Sequence, residues 1–198
     1  GNNYVIAGIG SDTVTGGSGS GIDVVVGDSG SIDYVINDND EAYADVVTST
    51  ATANDGNDII TAGHGNNIVV GGDGNDTITS GTGDDFIIGD SGTLTFDING
   101  KLNRAVNPGT SGGNDTITVA GGNNFVIGGV GSDNIRVGVD TNGTPVGVGN
   151  DMILGDSGSI DFTKTSASGA TTTSNVFVDE IRSDVTSLDG ADVIYSGD

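Results

Sequence analysis

The chain contains four consecutive blocks of nine residues, ANDGNDIIT (53–61), AGHGNNIVV (62–70), GGDGNDTIT (71–79) and SGTGDDFII (80–88). Every block has Gly at its fourth position, Asp or Asn at its sixth, and Val or Ile at its eighth. A short fixed period of this kind is typical of solenoids, in which each repeat packs against its neighbours. The stretch therefore predicts stacked coils around a linear core.

The eighth position keeps this register along the whole chain. With 37 Gly among 198 residues and a formal net charge of −23, the bulk composition resembles that of a disordered linker. A linker would not hold an aliphatic residue in one phase, whereas a strand that points this side chain into a coil requires it. The aliphatic eighth positions are Val5, Val14, Val25, Ile60, Val69, Ile78, Ile87, Ile117, Val126, Ile135, Ile153 and Ile194.

A longer repeat contains the short one, because Gly-Asp-Ser-Gly recurs at 27–30, 89–92 and 155–158. We predict one continuous rod of units, and in each unit the tetrapeptide begins a fifth turn with Tyr34, Phe96 or Phe162 in the inward eighth position. Joining the last residue to the first would continue the nine-residue phase, so we expect the chain to be a stretch of a longer array. The predicted units are 1–52, 53–109, 110–186 and the start of a further unit at 187–198.

The block GGDGNDTIT (71–79) resembles the glycine-rich nonapeptide GGxGxDxUx of RTX calcium-binding proteins, in which U is aliphatic. The resemblance implies an all-β fold, a parallel β-roll or β-solenoid, with several Ca²⁺ ions in its turns. It also implies that the sixth-position Asp of two stacked turns and backbone carbonyls supply the six to eight oxygens that Ca²⁺ takes. An extracellular or cell-surface location, reached by type I secretion, is implied as well.

Two nonapeptides complete one coil, so alternate repeats share an edge of the roll. On the edge formed by the odd repeats, Asp58 should pair with Asp76 and Asp115 with Asp133. Asp12 and Asp192 should pair with repeats of neighbouring units. Because both partners are carboxylates, these are the strongest candidate calcium sites.

On the other edge, every second turn has Asn in place of Asp at the sixth position. Since Asn is neutral, we expect these sites to be weaker or empty. The facing residues are Asn3 with Asp23, Asn67 with Asp85, and Asn124 with Asp151.

In the Gly-Asp-Ser-Gly segments the Asp moves to the second position, at Asp28, Asp90 and Asp156. Such a turn either ends the ladder of sites or closes the site of the third repeat with its own carboxylate. A metal-free alternative is that Asp and Asn only bond their own backbone in turns. That alternative fails for a stacked array, because carboxylates close together in a partly desolvated turn need a bridging cation.

The acidic composition restricts the possible partners. Five basic residues against 28 acidic ones make nucleic acid or an anionic membrane surface an unsuitable partner, since both require Lys and Arg. No membrane insertion is expected either, because the sequence has no long apolar run. The expected partners are calcium ions, neighbouring repeat units and, in a filament or layer, identical chains.

The outward positions of the strands predict one open face and one covered face. Odd repeats are mostly polar outside, as in Thr77-Ile-Thr79 and Thr116-Ile-Thr118, whereas even repeats are apolar at all three positions, as in Phe86-Ile-Ile88. A strand that is apolar on both sides is buried on both sides. We expect inserted strand or hairpin segments to cover this face, with Ala44–Thr48 and Asn175–Val178 as candidates. Val137–Pro145 should form a hairpin about Asn142-Gly143.

Catalysis is not expected. The single His64 lies in a turn, and Ser29, Ser91 and Ser157 have no set of histidines to activate them. The first hypothesis is a calcium-stiffened segment of a large secreted protein, such as an adhesin stalk, surface layer or filament. The alternatives are a calcium-folded carrier of a secreted hydrolase or toxin, and a ligand- or ice-binding roll that uses outward threonines.

Overall fold

A computed structural model describes residues 1–34, 43–52, 54–97, 99–140, 142–147, 149–165, 171–173, 180–184 and 186–196. All regular elements in these ranges are β-strands, and no helix in them could cross a membrane. The strands form three six-stranded sheets and one strand pair. The fold is therefore all-β, as the nine-residue pattern predicts.

Two parallel sheets form the roll. Numbered in chain order, the even sheet contains β1 (Asn3–Ile6), β3 (Asp23–Val26), β7 (Ile68–Gly72), β9 (Phe86–Asp90), β13 (Phe125–Ile127) and β15 (Met152–Leu154). The odd sheet contains β2 (Thr13–Thr15), β6 (Ile59–Gly63), β8 (Thr77–Ser80), β12 (Thr116–Val119), β14 (Asn134–Val137) and β20 (Val193–Ser196).

The register of both sheets places the eighth positions opposite one another. Ile60 pairs with Ile78, which pairs with Ile117, and Val69 pairs with Ile87 in the other sheet. These side chains are buried between the two sheets and form one apolar cluster along the roll. The predicted assignment of the eighth position to the interior is confirmed except for Ile194 in the last strand of the odd sheet, which is exposed.

A third sheet, which we call the covering sheet, is antiparallel and lies over the outer face of the even sheet. Its strands come from the Gly-Asp-Ser-Gly segments and the irregular segments after them. They are β4 (Gly30–Asp33), β5 (Val46–Ser49), β10 (Thr93–Phe96), β11 (Leu102–Asn107), β16 (Gly158–Asp161) and β19 (Glu180–Ser183). A separate antiparallel pair joins β17 (Thr163–Thr165) to β18 (Thr171–Thr173).

The covering sheet buries the apolar face of the even sheet within the same chain. Ile88 and Ile127 are completely buried against a cluster that includes Val47 and Leu94 of the covering sheet. Phe86 and Phe125 stack 5.2 Å apart between their ring centres and are half-buried. Complete burial of such a side chain is worth about 1.5–3 kcal/mol. The prediction of an intrachain cover is confirmed for the middle of the chain.

The two faces are less sharply separated than predicted. Thr77 and Thr116 are exposed, but Thr79 and Thr118 are half-buried. Met152 and Leu154 of the even sheet are likewise only half-buried. At the first even strand, Tyr4 and the neighbouring Ile6 are exposed.

The prediction of a fifth turn after Gly-Asp-Ser-Gly is wrong. The chain leaves the roll after the Asp of this tetrapeptide, and the next residues become strands β4, β10 and β16 of the covering sheet. Tyr34, Phe96 and Phe162 do not enter the roll's interior; they pack in the cluster between the even sheet and the covering sheet. Phe96 meets Phe86 edge to face, with 5.6 Å between the ring centres. Leu94 and Phe96 lie on the same side of β10, because side chains two residues apart on a strand point the same way.

The predicted hairpin and covering strands are found where they can be checked. Val139 and Pro145 form an antiparallel bridge, and Asp140 N donates to Thr144 O, so Val137–Pro145 doubles back as expected. Strand β5 corresponds to the predicted covering segment Ala44–Thr48. The other predicted segment, Asn175–Val178, lies outside the described residues.

Candidate metal-binding edges

The turns that lead from the even sheet into the odd sheet form the odd edge. Their sixth-position aspartates stack in one uninterrupted ladder. In each step, Oδ1 of one Asp accepts the backbone N–H of the Asp in the adjacent turn, as from Asp58 to Asp76 at 2.7 Å. The remaining steps, at 2.8 to 2.9 Å, run from Asp12 to Asp58, Asp76 to Asp115, Asp115 to Asp133, and Asp133 to Asp192.

This ladder extends the predicted pairing. Asp58 with Asp76 and Asp115 with Asp133 do meet, but Asp76 and Asp115 also meet across the predicted unit boundary. Asp12 and Asp192 join the same ladder at its two ends. Every space between adjacent odd turns therefore contains two carboxylates.

The second oxygen of these carboxylates has no donor. Oδ2 of Asp58, Asp76, Asp115 and Asp133 is buried and accepts no hydrogen bond. Burial, opposed only in part by the backbone hydrogen bond, raises the pKa of Asp76 to about 8 and of Asp115 to about 9. Nearby carboxylates raise both further. An ionised carboxylate with a buried, bare oxygen is costly, so this arrangement favours a neutralising partner, either a proton or a cation.

Glycines at the ends of even strands, such as Gly27 and Gly71, leave room beside the bare oxygens. A Cβ placed on Gly27 would collide with both Asp58 Oδ2 and the carbonyl oxygen of Gly71. A Cβ on Gly71 would likewise collide with Asp76 Oδ2 and the carbonyl oxygen of Gly89. A carboxylate oxygen and a carbonyl oxygen of the next coil thus face one point. Side chains larger than hydrogen would fill that point.

These oxygens fit a hard cation. Ca²⁺ takes six to eight oxygen ligands, carboxylate and carbonyl alike. In the described part of the chain, no three Asp, Glu or His side chains gather in a group that could hold a metal ion. A site of this kind must therefore combine one or two carboxylates with several backbone carbonyls, which glycine-rich turns leave accessible.

Asp140 shows what a metal-free Asp turn looks like in this protein. Its Oδ1 accepts the backbone N–H groups of Asn142 and Thr144, both within its own hairpin. The bond from Thr144 N–H and the similar bond from Asn142 hold the pKa of this exposed carboxyl below its usual range. On the odd edge the bonds run between turns instead, and the pKa values rise. Local turn chemistry therefore accounts for Asp140 but not for the ladder.

The even edge repeats the ladder with alternating residues. Oδ1 of each Asp or Asn accepts the backbone N–H of the residue before it in the stack, at 2.8 to 3.1 Å. The predicted facing pairs are confirmed, and they also connect across units. The order along this edge is Asn3, Asp23, Asn67, Asp85, Asn124, Asp151.

The Gly-Asp-Ser-Gly aspartates lie at the odd edge, beside the ladder. Asp28 is completely buried, its Oδ2 accepts the N–H of Asp73 at 2.5 Å, and its Oδ1 has no partner. Asp90 is also completely buried and accepts the N–H groups of Gly113 and Val130. Oδ1 of Asp156 is without a partner too. Asp28 thus contacts a third-repeat turn and Asp90 a first- and a third-repeat turn of the next unit, and the closing of a calcium site by these carboxylates stays a prediction.

Sequence reasoning missed Asp55 and Asp189. Both carboxylates bind the N–H and the hydroxyl of a Thr three residues earlier, Thr52 and Thr186, where the chain re-enters the roll. Asp55 raises the pKa of Asp28, and Asp189 that of Asp156, although burial is the largest cause in both. The repeated Thr-x-x-Asp before a sixth-position Asp was the available signal.

A family model for the RTX calcium-binding nonapeptide repeat matches four copies in this chain, at residues 1–22, 49–78, 65–93 and 110–142, which together span about half of it. The chain belongs to the RTX calcium-binding repeat family. RTX repeats bind Ca²⁺ in multiple copies, so calcium is the cation for which these turns are built. No curated protein and no solved structure matches the chain.

Three of the residues considered for catalysis contact neighbouring turns and strands. His64 is exposed, and its Nδ1 lies 3.1 Å from the N–H of Thr82 in the adjacent turn. Ser91 is buried beside Ser49, and Ser157 donates to Asp189 at 3.2 Å. None of these hydroxyl contacts involves a histidine.

Proposed function

We propose that this chain is a calcium-stabilised structural segment of a large secreted bacterial protein at the cell surface or in the extracellular space, such as an adhesin stalk, surface layer or filament. The observation that carries the proposal is the uninterrupted odd-edge ladder from Asp12 to Asp192. It crosses every predicted unit boundary, so calcium bound along it would join all coils into one rod.

The placement of the polar residues supports a structural role. The buried carboxylates serve the turns, the two apolar clusters run along the roll, and Ser91 and Ser157 are enclosed by neighbouring strands. We therefore propose that the segment is not an enzyme. An extracellular location agrees with the family, because millimolar calcium outside cells suits modules of modest affinity.

Ice or ligand binding through outward threonines is less well supported. Along the odd sheet, the first outward row reads Thr13, Ile59, Thr77, Thr116, Asn134 and Val193. This row is not a continuous threonine array. The carrier of a secreted hydrolase or toxin remains the main alternative, and a catalytic domain encoded beside this stretch would support it.

Single-molecule stretching of the chain between its two ends tests the mechanical proposal. We expect a force-resistant rod at millimolar calcium and a soft, coil-like chain in excess chelator, because the cations neutralise carboxylates that otherwise repel one another. Equal resistance in both conditions would contradict a calcium-stiffened segment. Sequencing the parent gene in both directions separates stalk or filament from carrier.

A further inference from the structure

The asparagine side chains of the even edge make hydrogen bonds that an aspartate could not make. Asn67 is completely buried, and its Oδ1 accepts the N–H of Asp23 at 3.0 Å. This is the bond that Asp76 Oδ1 makes with Asp58 on the odd edge. The N–H of Asp23 requires an oxygen, so the orientation of the amide is fixed. The nitrogen Nδ2 must occupy the place of the second carboxylate oxygen.

Nδ2 of Asn67 faces a set of oxygens. It donates to the carbonyl oxygens of Gly63 at 3.2 Å and Gly65 at 3.0 Å, and it lies 3.1 Å from Oγ of Ser80 in the next turn. Gly63 and Gly65 are the second and fourth residues of the same nonapeptide. The amide therefore binds carbonyls of its own turn and an oxygen of the next, as a cation between two turns would.

Asn124 repeats this geometry in another unit. Its Nδ2 donates to the carbonyl oxygens of Ala120 at 3.5 Å and Gly122 at 3.1 Å, again the second and fourth positions. It also donates to Oδ1 of Asp151 in the next turn at 3.0 Å. Asn3 makes the part of the set that its position allows, to Gly1 and Asp23. The arrangement is thus a rule of this edge.

The two edges differ in whether the second side-chain atom of the sixth residue is a hydrogen-bond acceptor or a donor. On the odd edge, Oδ2 is an acceptor without a donor. In the asparagine turns, the same place holds an NH₂ group that satisfies the facing oxygens. Carbonyl oxygens directed at an N–H group cannot also surround Ca²⁺ at the same point, and the amide brings no negative charge to attract the ion.

We propose that Asn3, Asn67 and Asn124 replace the calcium ion with their own side-chain amide, so that these turns close without metal. The sixth residue then decides turn by turn whether the roll takes up an ion. A change from Asn to Asp at such a turn should create a calcium site, because the carbonyls and the glycines around it are already in place. This inference rests on the calcium binding of the odd edge.

The test is to count calcium ions per chain in Asn67→Asp and Asn124→Asp, by equilibrium dialysis with elemental analysis at saturating calcium. Each variant should bind one ion more than the wild-type chain. The matched control is Asn66→Asp, which adds the same charge at the neighbouring, exposed fifth position. It should leave the count unchanged. The reciprocal Asp76→Asn should lose at least one ion.

Thermal unfolding provides a second reading. At limiting calcium, Asn67→Asp should unfold at a lower temperature than wild type, because it adds a second carboxylate beside Asp85. Calcium should restore its stability. A folded Asn67→Asp and Asn124→Asp with the wild-type ion count would overturn the inference, and so would an equal gain in Asn66→Asp. Failure of both variants to fold at saturating calcium would also overturn it, since the ion should replace the amide. A wild-type chain that binds no calcium would instead refute the proposed function.

Discussion

The two edges of the roll have the same backbone arrangement but differ in the second side-chain atom, Oδ2 or Nδ2, of the sixth-position residue. Both have a column of close-packed fourth-position glycines, such as Gly56 and Gly74 on one edge and Gly65 and Gly83 on the other. Both have a ladder of Oδ1 bonds between sixth-position residues. They differ because every odd turn has a carboxylate at the sixth position, whereas alternate even turns have an amide there; Asp85 of the even edge still has a buried Oδ2 without a donor. The fold thus needs a positive partner at that point, and either an ion or an amide can provide it.

The odd edge should depend on calcium more than the even edge does. The odd edge has two carboxylates in every space between turns, while each space of the even edge has one carboxylate and one amide. Repulsion between buried carboxylates is therefore concentrated on one edge. We expect that edge to open first when calcium is withdrawn, and its loss to undo the stacking that holds both sheets.

Removal of all calcium should have the largest effect. In excess chelator, we expect circular dichroism to change from β-rich to coil-like, because the odd edge loses the cations that neutralise its carboxylates. At free calcium about tenfold above the dissociation constant, each site contributes roughly 1.4 kcal/mol, so several sites together are comparable with typical domain stability. A chelated chain with an unchanged β signal and melting temperature would refute the calcium dependence of the fold.

Single alanine substitutions should distinguish the two edges. Asp76→Ala removes a bare oxygen and an acceptor of the Asp58 N–H, so bound calcium should fall and the unfolding free energy in calcium should drop by about 2–4 kcal/mol. Asn67→Ala also breaks buried hydrogen bonds, but it should leave the calcium count unchanged. Calorimetric calcium titration and denaturant unfolding measure both quantities. Equal calcium losses would remove the distinction between the edges.

The pH dependence should have opposite signs with and without calcium. Burial raises the pKa of Asp133 to about 7, of Asp76 to about 8 and of Asp115 to about 9, above the ordinary carboxyl value. Their contribution to stability is complete below the unfolded pKa of about 3.9 and is lost as pH rises through the folded values. The calcium-free chain should therefore be more stable at about pH 5 than at about pH 8.

In excess calcium, acid should instead destabilise the chain, because protons compete with Ca²⁺ for the same carboxylates. The β signal in circular dichroism and, wherever the chain is folded, its melting temperature provide the measurement across this pH range, with calcium and with chelator. Parallel pH profiles in the two conditions would show that the buried carboxyls are not the groups that calcium neutralises.

The smallest expected loss of stability concerns the fifth-position residues, whose side chains form a further row of hydrogen bonds on each edge. Asn75 Oδ1 accepts the N–H of Asn114 at 2.6 Å, and Asn66 Oδ1 accepts that of Asp84 at 2.9 Å; both side chains are exposed. Asn75→Ala and Asn66→Ala should each cost about 0.5–1.5 kcal/mol, equally in both edges and without changing the calcium count. A calcium loss in Asn75→Ala alone would extend the metal site to the fifth position.

Much of the roll could be predicted because the period of the sequence is the period of the structure. An aliphatic residue at every eighth position places Ile60, Ile78 and Ile117 in one buried row, and an Asp or Asn two residues earlier then lies at the edge. The apolar outer positions of Phe86 and Ile88 likewise predicted a cover. These inferences needed only side-chain direction and the cost of exposed apolar surface.

The fifth turn was predicted wrongly because its aromatic residue matched the eighth position. The contrary signal was Leu94 at the sixth position, where every turn of the roll has Asp or Asn. A leucine cannot continue the Oδ1 ladder, whereas Leu94 and Phe96 together suit a strand with one buried face. The division into units at 53, 110 and 187 stays a prediction.

The continuity of the ladder and the role of the amides could not be predicted from the sequence. Asp76 and Asp115 are 39 residues apart, and an inserted covering segment separates them. Only the structure shows that the chain returns to the same edge one coil higher. For Asn67, the residue type indicated missing charge, but the facing carbonyls of Gly63 and Gly65 are what turn the amide into a substitute for the ion.

The even sheet and the covering sheet both have six strands, and this determines how many residues the rod contains per unit of its length. Each unit adds two strands to either sheet, and adjacent strands lie about 4.8 Å apart, so one unit advances the rod by roughly 10 Å. The roughly sixty residues of that unit, fully extended at about 3.4 Å each, would reach some 200 Å. A unit that gives way under load would thus release about twenty times its folded length. In the proposed stalk or filament, the segment would then be a stiff spacer with calcium bound and a long tether once a unit unfolds.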